Sequence, residues 1–198
     1  TSCGSGGFLL YALNKVRNKA TELYPNYAKD VRQHDRWFKY WHDFAEKNLY
    51  GIEISEQISR AAKMNMIIHD DGHTNVITSN GIWSDTEIIS KTNNQGFKYG
   101  TFDFIITNPP FGSIVRQSEQ AYLKTYQLGK KEEDWLAVKS NSEQYRDSQS
   151  TEVLFIEQDY KFLKEGGYLA IVLPDGILTN SSMQYVRNQI EDWFRIVA

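Results

Sequence analysis

Short apolar runs that alternate with segments of helical period constrain this 198-residue chain more than any other feature. Leu9, Ala12, Leu13, Val16, Ala20 and Leu23 recur at helical spacing, which predicts a helix from residue 8 to about 23. Pro25 and Asn26 break it, and residues 34–48 put Trp37, Trp41, Phe44 and Ala45 on one face of a second helix. Leu49 to Ile54 reads as a short buried strand. Ser55 then caps a helix whose apolar face is Ile58, Ala61, Ala62 and Met66. Val76-Ile77-Thr78 and Phe102 to Thr107 read as further strands, with a polar, Asn-rich connection between them. Residues 113–150 are polar and weakly periodic and read as a long loop with room for one short helix, a length usually kept for function or motion. Val153, Ile156, Tyr160 and Leu163 mark a helix closed by Gly166-Gly167, and Tyr168 to Leu173 a fourth strand. Met183, Val186, Ile190 and Trp193 mark the last helix, and Arg195 to Ala198 begins a fifth strand. Strands alternating with helices imply an α/β fold with a mostly parallel sheet and helices on both faces.

In such sheets ligands bind beyond the carboxyl ends of the strands. Glu53, Asn80, Asn108 and Asp175 stand at those ends, so a common rim is expected. Composition narrows what that rim can do. The net charge is −3, so wrapping a polyanion over the whole surface is not this chain's task alone. One cysteine excludes a disulfide framework and a Cys-built zinc site and suits a reducing compartment, the cytoplasm. No stretch approaches the roughly 18 apolar residues of a membrane span, so no membrane partner is expected.

Gly4-Ser5-Gly6-Gly7 at a helix start lets backbone approach a ligand closely and offers N–H donors. A dinucleotide fold wants a third glycine where Leu9 stands and an acid about 20 residues on. Glu53 lies much farther along, and the aromatic segment 24–49 fills the gap as an insertion. A carboxylate at a strand end accepts hydrogen bonds from both hydroxyls of a ribose. Asn108-Pro109-Pro110-Phe111 is the sharpest motif. The Asn108 side-chain oxygen and a rigid neighbouring carbonyl can both accept from one amino group, because proline has a fixed φ and no competing donor. That leaves the nitrogen lone pair less delocalised and aimed outward. Phe111 adds a flat face for a base.

Four segments in this order are similar to the N6-adenine DNA methyltransferases: Ser2-Cys3-Gly4-Ser5-Gly6-Gly7-Phe8-Leu9, Tyr50-Gly51-Ile52-Glu53-Ile54, Asn108-Pro109-Pro110-Phe111-Gly112 and Gly167 to Leu178. The likeness is greatest to the modification subunits of type I restriction–modification systems and their single-chain relatives, and it spans nearly the whole chain. It implies the Rossmann-like fold of S-adenosylmethionine-dependent methyltransferases, with S-adenosylmethionine as cofactor. It implies cofactor binding by Cys3, Gly4, Ser5, Gly6, Gly7, Phe8, Glu53, Ile54 and Asn80. It also implies an adenine flipped out of DNA, stacked on Phe111, with its N6 held by Asn108 and the Pro109 carbonyl. A specificity subunit, and in some systems a restriction subunit, are the implied partners. Asn80 stands where the family carries an acid on the cofactor's adenine, with Asp70 or Asp71 as substitutes. Thr1-Ser2 stand where the family has Asp-Pro.

Two other functions stay open. The same Asn-Pro-Pro grip suits a protein glutamine amide or an RNA base, and a catalytically inactive methyltransferase fold could serve as a scaffold. The proposed reaction needs no metal, and His69, Asp71 and His73 lack a paired second cluster. The chain runs from Thr1 straight into the glycines, with no room for a preceding strand. Residues 1–198 are therefore expected to be a partial catalytic domain lacking its first strand, with flanking helical and DNA-recognition regions elsewhere.

Overall fold

The computed structural model describes residues 1–70, 75–116, 121–131 and 145–197. They form two compact units, Thr1–Lys98 and Tyr99–Ala198. In the first, helix α1 (Gly7–Leu23) and helix α2 (Val31–Asn48) precede strand β1 (Tyr50–Glu53), helix α3 (Glu56–Ile68), strand β2 (Asn75–Thr78) and helix α4 (Asp85–Thr92). The second holds β3 (Phe102–Thr107), β4 (Ile114–Arg116), β5 (Ser148–Ser150), α5 (Thr151–Phe162), β6 (Leu163–Ile171), α6 (Asp175–Thr179) and α7 (Gln184–Trp193). Parallel pairing is present in both units: β1 with β2, register Glu53 to Thr78, and β3 with β6, register Thr107 to Ile171. The chain is therefore α/β, as its periodicities predict.

The aromatic segment 24–49 is core material. Asp30 caps α2 by accepting from the Arg32 N–H at 2.9 Å. Trp41 and Ala45 are buried with Leu13, Ala20, Leu49 and Met66, and Trp37 and Phe44 pack against that cluster. Trp37 stacks on Tyr27 at 4.4 Å and donates its indole N–H to Thr21 Oγ1 at 3.1 Å. The Arg17 guanidinium lies 4.0 Å over Trp41, a cation–π contact that closes the cluster from α1. Among the described residues no helix is long and apolar enough to cross a membrane.

Four expectations are corrected. The buried face of α3 is Ser59, Ala62 and Met66, while Ile58, Ile67 and Ile68 are exposed; small Ala62 is the residue that meets Gly6. The polar connection after β2 contains α4, started by a reciprocal capping box in which Ser84 and Glu87 satisfy each other's backbone N–H. Gly166 does not end α5, which stops at Phe162; at φ +76 it lies in an irregular stretch of β6, where the pairing jumps from Leu163 opposite Phe102 to Tyr168 opposite Phe104. Residues 195–197 form no strand, and Ile196 and Val197 are exposed, because β-branched residues hold a strand only when a neighbouring ladder takes their backbone groups.

Helix α5 carries polar residues inside. Glu157, nearly fully buried, accepts from the Gln127 N–H at 2.9 Å, the Leu128 N–H at 2.9 Å and Lys161 Nζ at 2.8 Å. Gln158 Oε1 accepts from the hydroxyls of Tyr126 at 2.8 Å and Tyr99 at 3.1 Å. These bonds pin the 127–129 turn, so part of the long loop read from the sequence is fixed structure. Glu157→Gln keeps one acceptor oxygen, orphans one buried N–H and removes the partner charge of Lys161. It is expected to cost about 2 kcal/mol, seen as a lower urea midpoint at unchanged slope. An unchanged midpoint would show that the turn does not depend on the carboxylate.

Candidate functional site

The glycine loop is built around Glu53. Gly4 donates its N–H to Glu53 Oε2 at 3.0 Å and Ser55 donates its N–H to Glu53 Oε1 at 3.0 Å, so both carboxylate oxygens are anchored. Each oxygen keeps a second acceptor direction, and the carboxylate presents these pre-oriented. The loop is also tied to β1 by the Cys3 N–H on the Ile52 carbonyl at 2.8 Å, and closes on itself through Gly6 N–H to the Cys3 carbonyl at 3.0 Å. Gly4 and Gly6 have φ of +53° and +88°, a left-handed backbone that suits glycine, and Gly6 faces Ala62 at close range. A Cβ at Gly51 would come within 3.0 Å of Cys3 Sγ and of Leu9 Cδ1, so the bare position 51 gives the loop and the start of α1 room against β1.

Of the predicted cofactor residues, Gly4, Ser5, Gly6, Gly7, Phe8 and Cys3 therefore sit in or next to a loop directly bonded to Glu53. Ile54 and Phe8 are exposed beside it. Asn80 is in the same unit, one residue past Ser79, whose N–H donates to the Glu53 carbonyl at 3.1 Å. Asn80 Oδ1 accepts from the Ile82 N–H at 3.2 Å, which shapes the turn after β2. Asp70 pairs with Arg17 at 3.5 Å, while Asp71 and His73 lie outside the described residues.

Cys3 is not poised for chemistry. Burial pushes its thiol from the ordinary 9.0 up to about 11, and the Glu53 carboxylate acts in the same direction. The folded state thus holds the protonated form, and folding becomes less favourable as pH climbs from 9.0 towards about 11. At pH 9 alkylation of Cys3 by iodoacetamide, followed on its peptide by mass spectrometry, is expected to be at least roughly 10-fold slower in the folded protein than in urea. Equal rates would contradict the burial.

The second constellation lies at the carboxyl end of β3. Thr107 is buried, and its carbonyl accepts from the Val172 N–H at 3.1 Å, so Asn108 and the Val172–Pro174 segment leave the β3–β6 pair at one end. Asn108 and Pro110 are exposed and Pro109 is buried. Phe111 is 46% exposed, which leaves much of its ring open to a ligand. Gly112, at φ +76, turns the chain into β4, which runs antiparallel to β5 with Ile114 opposite Ser150. That return brings Thr151 to the loop, where its hydroxyl donates to the Pro110 carbonyl at 3.0 Å. Asp175 opens the short helix α6 after Pro174.

Thr151 carries no motif signal and escapes sequence reading, because the contact depends on pairing across about 35 intervening residues. Among the described residues one group offers three metal-type ligand atoms within 4.8 Å, His42, Asp43 and Glu46 on α2. Asp43 already pairs with Lys47 at 3.5 Å, and His42 stacks on Phe38. We assign that group no ion.

Comparison with known proteins bears on both constellations. Two solved structures share the fold. One is described as the modification subunit of a type I restriction enzyme from Vibrio vulnificus (TM-score 0.59, 19% identity, 96% of this chain and 32% of that one). The other is described as a class I S-adenosylmethionine-dependent methyltransferase from Listeria monocytogenes (TM-score 0.53, 16% identity, 96% of this chain and 43% of that one). By sequence the chain is 25% identical over 181 residues to the type II restriction enzyme and methyltransferase RM.BcgI of Heyndrickxia coagulans, covering 91% of this chain and 20% of that protein. It is 25% identical over 183 residues to the type I restriction enzyme EcoEI methylase subunit of Escherichia coli, covering 89% of this chain and 28% of that protein. The chain thus spans between a fifth and a third of the length of these curated relatives. The sequence model of one family, N-6 DNA Methylase, matches residues 1–194 and so takes in the Glu53 loop and the Asn108 run together. With the methyltransferase fold beneath both constellations and that match across both units, the chain belongs to the N-6 DNA Methylase family.

Proposed function

We propose that residues 1–198 are catalytic methyltransferase sequence that transfers a methyl group from S-adenosylmethionine to the N6 amino group of adenine in DNA. In this reading it is the modification component of a restriction–modification system, acting in the cytoplasm with a specificity subunit and, in some assemblies, a restriction subunit. The observation that carries it is the Asn108-Pro109-Pro110-Phe111 run at the carboxyl end of a parallel strand, with Asn108 and Phe111 exposed, within a chain of this family.

The first unit fits the cofactor. Glu53 is held by two backbone N–H groups with acceptor directions to spare for two ribose hydroxyls, and three bare glycines in the loop beside it, Gly4, Gly6 and Gly7, let a ligand approach the backbone closely. S-adenosylmethionine, when bound, supplies a methyl group activated by its sulfonium. Everything else in the reaction falls to the chain. Asn108 Oδ1 and the Pro109 carbonyl accept the two N–H bonds of the target amino group, so the nitrogen lone pair turns away from the ring. Phe111 stacks the base, which must leave the duplex because N6 is otherwise engaged in pairing. Direct displacement then depends on positioning and polar stabilisation rather than a covalent enzyme intermediate. The half-buried Cys3, its thiol pushed up to about 11, is consistent with that. A net charge of −3 fits a division of labour in which another subunit or region reads the DNA sequence.

The test is transfer of labelled methyl from S-adenosylmethionine to unmodified duplex DNA by the intact protein, with and without its specificity subunit, followed by nucleoside analysis. N6-methyladenine is the expected product. Label appearing instead in protein or RNA, or nowhere despite bound cofactor, overturns the assignment.

A further inference from the structure

We propose that Thr151, the first residue of α5, is a positioning residue that sets the substrate-gripping loop through the Pro110 carbonyl; the inference rests on the function proposed above. Two consecutive prolines remove two backbone donors, so the loop cannot be fixed at that point by its own N–H groups. At the two prolines the carbonyl oxygens are the backbone handles left, and a donor to them must come from elsewhere. Thr151 supplies it. Its hydroxyl has one proton and three acceptors within reach: the Pro110 carbonyl at 3.0 Å, the Ser113 carbonyl at 3.3 Å and Glu152 Oε2 at 3.4 Å. The Ser113 carbonyl already receives the Thr151 N–H at 2.9 Å, which leaves Pro110 as the closest acceptor for the hydroxyl.

The surroundings make this bond specific. Thr151 is 8% exposed, so water competes little for the hydroxyl. Backbone and side chain of one residue hold both sides of the turn at Gly112, the Pro110 side and the Ser113 side. The antiparallel β4–β5 pair, with Ile114 opposite Ser150, places Thr151 there. With the Thr107 carbonyl held by Val172 at the other end, Asn108 and the Pro109 carbonyl lie between two fixed points. The carbonyl that Thr151 engages is the one after the substrate-binding carbonyl, so the anchor does not compete with the substrate.

The test compares Thr151→Val, which keeps the shape and removes the hydroxyl, with Thr151→Ser, which keeps the hydroxyl and removes the methyl. Amide hydrogen exchange of residues 111–115 in the cofactor-free intact protein is expected to quicken at least about 10-fold in the valine variant and to return within about 3-fold of wild type in the serine variant. In methyl transfer to unmodified DNA the valine variant should lose roughly 10- to 100-fold in kcat, the serine variant little, and both should bind S-adenosylmethionine within about twofold of wild type. Unchanged exchange in the valine variant overturns the anchor. Faster exchange with unchanged kcat overturns the positioning role, and equal losses in both variants overturn the hydroxyl as the active element. Wild-type protein that methylates no DNA, while the exchange pattern holds, overturns the reaction assigned above and leaves the anchor standing.

Discussion

Asn108→Ala is expected to lower methyl transfer to DNA by roughly 10³-fold while S-adenosylmethionine binds within about twofold of wild type. The size follows from what one side chain is asked to do. In the proposed reaction its oxygen accepts from the reacting amino group and so favours the geometry in which the nitrogen lone pair points outward, an interaction that strengthens as the nitrogen gains positive character. Removing a positioned polar group of that kind affects kcat more than binding. The loop's frame is set by other groups, the Thr107 and Pro110 carbonyls and their donors Val172 and Thr151. Asn108→Asp retains an acceptor at the same reach and is expected to keep more activity than alanine. Single-turnover transfer with labelled cofactor on the intact protein separates chemistry from binding. Near-wild-type turnover in the alanine variant would remove Asn108 from the reaction.

Glu53→Ala acts on the other side of the reaction. Calorimetry should show S-adenosylmethionine affinity falling by roughly 100-fold, the size expected from losing two hydrogen bonds to a charged acceptor. Glu53→Gln keeps one acceptor oxygen and should lose about 10-fold. Because Glu53 also takes the N–H groups of Gly4 and Ser55, the alanine variant leaves both without that acceptor, and some thermal stability should go with it. Affinity is therefore best read well below the unfolding temperature, where a folding defect and a binding defect separate. Unchanged affinity in the alanine variant, with the protein folded, would place the cofactor elsewhere.

These predictions show where sequence reading reached and where it stopped. The bounds of β3 came directly from Phe102 to Thr107, because an apolar run ended by two prolines has one reading. Helix α1 and the Ser55 cap were equally legible, since helical spacing and a capping hydroxyl are local signals. Helix α4 was hidden by its eight-residue length and a composition dominated by polar residues, although the capping box was written in Ser84 and Glu87. The buried side of α5 was read from Val153 and Ile156, and Glu157 and Gln158 were missed. A buried carboxylate is tolerable only when distant donors come to it, and those donors, Gln127 and Leu128, lie some 30 residues away.

The sequence by itself determined the chemistry available at each strand end: a carboxylate at Glu53, an acceptor flanked by rigid prolines at Asn108, and an aromatic face at Phe111. Residue types, φ restrictions and spacing settle such things because they are properties of short stretches of chain. Only the tertiary structure decided how those groups are held. That the Glu53 carboxylate meets the Gly4 N–H, that the bare position 51 gives Cys3 and Leu9 room, and that Thr151 returns to the Pro110 carbonyl all depend on contacts between residues 41 to 49 positions apart. No local propensity encodes these contacts. They exist because burying the apolar faces brings the elements together, and buried polar groups then need partners wherever the fold has put them.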